Sequence, residues 1–157
     1  MIEVKNVYKS YEGEYVLNDV SARFEQGKCN LIIGRSGSGK TVLLKSIAGL
    51  IGIDEGEIWY NDQKFSHLDT NAKQMIRKEM GVLFQGAALF DSLTVEENVL
   101  FPLDMLTDQS KKEKLDRGNF CLERVKVTGS NGLYPAELSG GMKKRVAISR
   151  AIALNQK

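Results

Sequence analysis

The chain has 157 residues, 42% of them hydrophobic and 27% charged, the balance of one globular domain. A formal net charge of +2 is too small to single out nucleic acid or an anionic surface as a partner. Two widely separated cysteines, Cys29 and Cys121, and the single His67 argue against a disulfide scaffold and a metal cluster, and they fit a reduced, cytoplasmic protein.

Met1-Ile2-Glu3-Val4-Lys5 begins directly in alternating residues, with no charged and then apolar leader, so no signal peptide is expected. No apolar run approaches the roughly 20 residues of a membrane span, which leaves a membrane role to a partner. Ile2, Val4 and Val7 predict a half-buried strand, and Tyr11-Glu12-Gly13-Glu14 a turn. Val16 to Phe24 is the returning strand, with Val20, Ala22 and Phe24 alternating on one face. Glu25-Gln26-Gly27-Lys28 predicts a second turn, and Leu31-Ile32-Ile33 a strand buried on both faces.

That strand runs into Gly34-Arg35-Ser36-Gly37-Ser38-Gly39-Lys40-Thr41, which spells the phosphate-binding loop G-x-x-x-x-G-K-[ST]. Glycines let backbone N–H groups turn inward around a phosphate without Cβ clashes, and the helix that follows aims its N-terminal donors at the same anion. Lys40 is placed to reach the β- and γ-phosphates, and the Thr41 hydroxyl to hold Mg²⁺. Leu43, Ile47 and Leu50 recur at helical spacing behind the loop.

The run Leu50-Ile51-Gly52-Ile53-Asp54-Glu55 imitates an apolar strand ending in a metal-binding Asp-Glu pair. Its place directly after the first helix, with Gly52 interrupting, makes it a helix end and loop instead. Glu57-Ile58-Trp59-Tyr60 predicts a strand turning at Asn61-Asp62, and His67 reads as a surface loop residue. Asp69 or Thr70 caps a helix through Lys73 to Glu79. Gly81-Val82-Leu83-Phe84 is a second short apolar strand, ending at Gln85. Beside a phosphate loop a glutamine there could meet Mg²⁺ and the γ-phosphate; alone, it means little.

Thr94 and Glu97 form a capping box for a helix carrying Val99 and Leu100 and ending before Pro102. Asp108 or Ser110 opens another, with Lys111, Lys112, Lys114 and Arg117 solvated and Leu115, Phe120, Leu122 and Val125 packed, although Gly118 is a poor helix former. After a loop to Pro135 comes Leu138-Ser139-Gly140-Gly141-Met142, opening a helix. Its packed face is Ala147, Ile148, Ala151 and Leu154, with Lys143, Lys144 and Arg150 largely opposite. By itself Ser139-Gly140-Gly141 is equally an anion site at a helix N-terminus or a serine cap followed by flexible glycines.

Phosphate loop, glutamine after the next apolar strand and LSGG before a helix stand in the order found in ATP-binding cassette (ABC) ATPases, which the chain resembles over essentially its whole length. The resemblance implies an α/β fold: a P-loop NTPase (RecA-like) core, an N-terminal antiparallel β subdomain and an α-helical subdomain, with the C-terminal part of the core missing. It divides residues 1–157 into the β subdomain and P-loop core (1–85), the helical subdomain (86–138) and the LSGG element with its helix (139–157).

In that family ATP and Mg²⁺ are held between two cassettes stacked head to tail. By resemblance Tyr11 stacks on adenine with Val16 beside it. Gly34 to Thr41 and Val42 hold the phosphates. Gln85 senses the γ-phosphate and Mg²⁺, and Ser139, Gly140 and Gly141 close over the ATP of the second copy. Lys40, Gln85 and Ser139 are then the catalytic candidates, and Thr41 and Gln85 the metal ligands. The implied partners are a second identical subunit and an integral-membrane permease docked near residues 85–100, with the protein peripheral on the cytoplasmic face of the inner membrane.

The stretch from Val82 to Val95, with Ala87-Ala88-Leu89-Phe90 after Gln85, and Met142 after the double glycine are similar to the Mla-type cassettes, which serve lipid transport with MCE-type lipid-binding proteins. The strand ending in Asp-Glu and the switch histidine that the family uses for hydrolysis do not follow Met142 in these residues. The chain therefore reads as the N-terminal part of a longer transport ATPase. The alternatives are an ABC importer for another solute and a nucleotide-binding module that does not hydrolyse.

Overall fold

The computed structural model describes residues 1–154. They fall into two compact units, Met1–Arg77 and Lys78 onward. In the first, strands β1 (Ile2–Tyr11) and β2 (Glu14–Phe24) form the expected hairpin around a turn at Glu12 and Gly13. Helix α1 (Lys40–Ile47) follows the glycine loop, and β3 (Glu55–Tyr60) and β4 (Gln63–Lys64) complete one antiparallel sheet in the order β2-β1-β3-β4. The hairpin register sets Val4 opposite Ala22 and Val7 opposite Val20, and Val4 also meets Ile58 of β3. Val4 and Val7 are three residues apart, so strict alternation would put them on opposite faces; the register shifts between them, with Asn6 at φ 47°, and both are buried with Leu17 and Ile58 in one core with Leu43 and Ile47 of α1 and with Phe65. Each fully buried aliphatic side chain in such a cluster contributes about 2 kcal/mol. Helix α2 (Thr70–Lys78) starts at Asp69, whose carboxylate accepts from the Ala72 N–H at 2.8 Å.

The second unit packs α3 (Val95–Leu106), α4 (Lys111–Arg124) and α5 (Gly140–Ala151) around Val95, Val99, Leu103, Cys121, Leu122 and Val146. Both helix starts are built as capping boxes, Thr94 with Glu97 and Ser110 with Glu113. Gly118 is buried where α4 meets α3; a Cβ there would lie 2.7 Å from Leu100 Cδ2, so the missing side chain is what lets the helices approach.

Several expectations need correction. Leu31-Ile32-Ile33 and Gly81-Val82-Leu83-Phe84 belong to no strand, because no described segment pairs with them. Leu31 and Ile33 are 78% and 83% exposed, and only Ile32 packs against the first core. Helix α1 stops at Ile47, so Leu50 lies past its end and is exposed. Helix α3 does not stop before Pro102 but runs through it to Leu106. Burial of Val95, Val99 and Leu103 along one stripe outweighs the roughly 3 kcal/mol that an interior proline costs. Phe120 is exposed, flanked by Arg117 and Arg124 rather than packed. On α5 the buried positions are Val146, Ala147 and Ser149, and Ile148 points outward.

Candidate functional site

The glycine loop and its helix lie in the first unit. Gly39 is the N-cap of α1 at φ 81°, in the left-handed region. A Cβ there would also stand 2.6 Å from the Val16 carbonyl oxygen, so only glycine lets β2 lie directly beneath the loop. The Gly39 carbonyl accepts the Leu43 N–H at 2.8 Å, which starts the helix, so the N–H groups of Lys40, Thr41 and Val42 have no acceptor within it. Lys40 Nζ donates to the carbonyls of Gly34 at 2.8 Å and Arg35 at 2.5 Å, so its ammonium is folded over the loop it follows. Thr41 is exposed in the first helical turn, with Val42 half-buried behind it. The structure thus brings Val16, Gly34, Arg35, Ser36, Gly37, Ser38, Gly39, Lys40, Thr41 and Val42 into one neighbourhood: a glycine loop whose Gly34 and Arg35 carbonyls hold the Lys40 ammonium, an exposed Thr41, and the N–H groups that open α1. That donor set fits a polyphosphate with a divalent cation.

Tyr11 ends β1, paired with Glu14 across the turn, and is 46% exposed. Lys9 Nζ lies over that ring, 5.4 Å from its centroid. Lys9 also donates to Asp54 Oδ1 at 2.5 Å, while Asp54 Oδ2 accepts from the Ser10 N–H at 2.7 Å and from its hydroxyl at 2.9 Å. The hydrogen bond from Lys9, then those from Ser10, hold the Asp54 carboxyl down at about 2. The sequence puts Asp54 in a loop and carries no signal of a role for it. Nothing in hydrophobic period signals a side chain that reaches another strand 44 residues away.

Gln85, Ser139, Gly140 and Gly141 lie in the second unit. Gln85 is exposed at a turn, followed by Gly86, Ala87 and Ala88, all at positive φ. That unusual backbone is held from behind: Arg150 donates to the carbonyls of Ala87 at 3.1 Å and Ala88 at 2.8 Å, with its guanidinium 5.5 Å from the Phe90 centroid. Arg150, expected on the solvated side of α5, is thus a structural anchor, and burial lowers its pKa. Ser139 caps α5, its hydroxyl accepting from the Met142 N–H at 3.3 Å, and Gly140 and Gly141 are the first two helical residues. The serine is therefore a cap, and the exposed N–H groups of that first turn also suit an anion.

The family described as ABC transporter matches residues 17–157. The methionine import ATP-binding protein MetN of Campylobacter jejuni is 40% identical over 173 aligned positions, covering 100% of this chain and 52% of that protein. The intermembrane phospholipid transport system ATP-binding protein MlaF of Haemophilus influenzae is 37% identical, covering 99% of this chain and 59% of that protein. Among solved structures, the dimeric post-hydrolysis state of the ATP-binding cassette MJ0796 bound to ADP and Pi superposes with a TM-score of 0.89 at 35% identity, covering 99% of this chain and 70% of that one. The chain spans a little more than half the length of these curated relatives. Similarity to lipid and to methionine systems is comparable, so the Mla-type likeness is one of several. With the glycine loop, LSGG element and fold agreeing with a match over residues 17–157, the chain belongs to the ABC transporter family.

Proposed function

We propose that this chain is the ATP-binding cassette of a transporter whose whole protein binds and hydrolyses ATP to drive an integral-membrane permease. The observation that carries the reading is the loop: Gly39 in the left-handed region over Val16, with Lys40 folded onto Gly34 and Arg35. Bound there, ATP with Mg²⁺ supplies the phosphoanhydride to be broken and the charge to be neutralised. Lys40 exchanges its two carbonyl acceptors for phosphate oxygens, where its bonds are charge-assisted and stronger. Thr41 offers its hydroxyl to the cation, Tyr11 and Val16 meet the base, and Gln85 senses the γ-phosphate and the cation. Ser139, Gly140 and Gly141 bring the α5 N-terminus to the nucleotide of a second, head-to-tail copy. Residues 1–85, 86–138 and 139–157 serve as β subdomain with P-loop core, helical subdomain and LSGG element. Lys40→Ala in the full-length protein should abolish ATP binding in an equilibrium titration; retained affinity would sink the assignment.

For the cargo, the reading we favour is phospholipid in a bacterial envelope, with the cassette peripheral on the cytoplasmic face of the inner membrane. Its support is Met142 after the double glycine, Ala87-Ala88-Leu89-Phe90 after Gln85, and the likeness to MlaF. The likeness to MetN supports a second reading, an importer for another solute. Co-purification with a permease and an MCE-type lipid-binding protein separates the two: capture with a soluble solute-binding protein instead would favour the importer.

A further inference from the structure

The end of β1 has a weakness in its backbone pairing. On one side the register to β2 shifts between Val7 and Lys9 and again between Lys9 and Ser10. On the other side, pairing to β3 ends at Tyr8 opposite Glu55. Residues 9–11 therefore pair with β2 alone and leave the edge on the β3 side without a strand partner, with Tyr11 at its tip. Asp54 occupies that edge. Its own N–H donates to the Tyr8 carbonyl at 2.9 Å, and its carboxylate continues the pairing one step further by accepting the Ser10 N–H. The remaining oxygen fixes the Lys9 ammonium, whose side chain is only 17% exposed and which lies over the Tyr11 ring. One carboxylate thus immobilises both residues immediately before Tyr11, and through Lys9 it covers one face of the ring.

We propose that Asp54 is the positioning residue of the nucleobase platform, holding Tyr11 in place through Ser10 and Lys9 so that the ring is ordered before a base stacks on it. This rests on reading Tyr11 as the base-stacking residue of a nucleotide site. A pre-ordered aromatic side chain loses less freedom when the ligand arrives, so the benefit falls on the base and leaves the phosphates untouched.

The test compares Mg²⁺–ATP with Mg²⁺–tripolyphosphate, which lacks the base, in the full-length protein by equilibrium titration. Asp54→Ala is expected to weaken ATP about tenfold and leave tripolyphosphate unchanged, and to add nothing to Tyr11→Ala. Asp54→Asn keeps an acceptor for Ser10 but loses the charge that holds Lys9. It should give a smaller loss of the same selectivity, and it carries the test if Asp54→Ala does not fold. Equal losses for both ligands, or effects that add to those of Tyr11→Ala, overturn the proposal while the nucleotide site stands. If Tyr11→Ala itself fails to discriminate ATP from tripolyphosphate, the base-stacking reading falls and the proposal with it.

Discussion

Two side chains that make no contact with each other in sequence illustrate what decides a residue's role here. Lys40 was legible from its motif, because glycine spacing and the helix behind it demand a cation at that point. Asp54 was not, because its value lies in three bonds to Lys9 and Ser10 that exist only once β1 and the β3 approach have met. Its carboxyl is lowered from 3.8 to about 2, first by Lys9 and then by Ser10. A depressed carboxyl stabilises the fold above its unfolded value and loses that effect as pH falls through its folded value. The stability difference between the wild type and Asp54→Asn should therefore be constant from about pH 5 to about pH 8 and shrink only below about pH 4. Denaturant titrations at several pH values read this directly, and a difference that changes near neutrality would mean that another group controls the clamp.

At the scale of elements, the sequence announced helices by their caps and missed what ties loops to them. Thr94 and Glu97, read as a capping box, form one. Asn98, one turn later, carries no such signal, yet it is fully buried and reaches four backbone groups. Its Oδ1 accepts from the Phe90 N–H at 2.8 Å, and the two hydrogens of its Nδ2 are shared among the carbonyls of Phe90, Leu93 and Thr94, each at 3.0 Å. Together with Arg150 on Ala87 and Ala88, it shapes the segment that follows Gln85. Periodicity cannot reveal such a residue, since a polar side chain on an apolar stripe looks like an interruption of the pattern. Asn98→Ala strands a buried N–H and several carbonyls, and should destabilise the second unit by about 3 kcal/mol. A loss below about 1 kcal/mol in chemical denaturation would show that water replaces the amide without difficulty.

At the scale of the whole molecule, the elements that were legible are those whose partners lie near in sequence: the β1–β2 hairpin, the helix after the glycine loop and the capped helices. Leu31-Ile32-Ile33 and Gly81-Val82-Leu83-Phe84 were expected as core strands because their composition is that of strands covered on both sides. A strand, however, is a property of a pair, and neither segment has a pairing partner among the described residues. What remains is backbone without strand pairing, with the bulky side chains of Leu31 and Ile33 facing water. Such an edge is a template for another chain. The 157-residue chain should accordingly self-associate as its concentration rises, and Leu31→Lys with Ile33→Lys should shift it toward a 17.5 kDa monomer in sedimentation velocity. The same pair introduced where the segment is flanked by sheet neighbours should act in the opposite sense, burying two ammonium groups and unfolding the protein. An unchanged mass distribution in the 157-residue chain would locate the association elsewhere and leave this segment a passive surface.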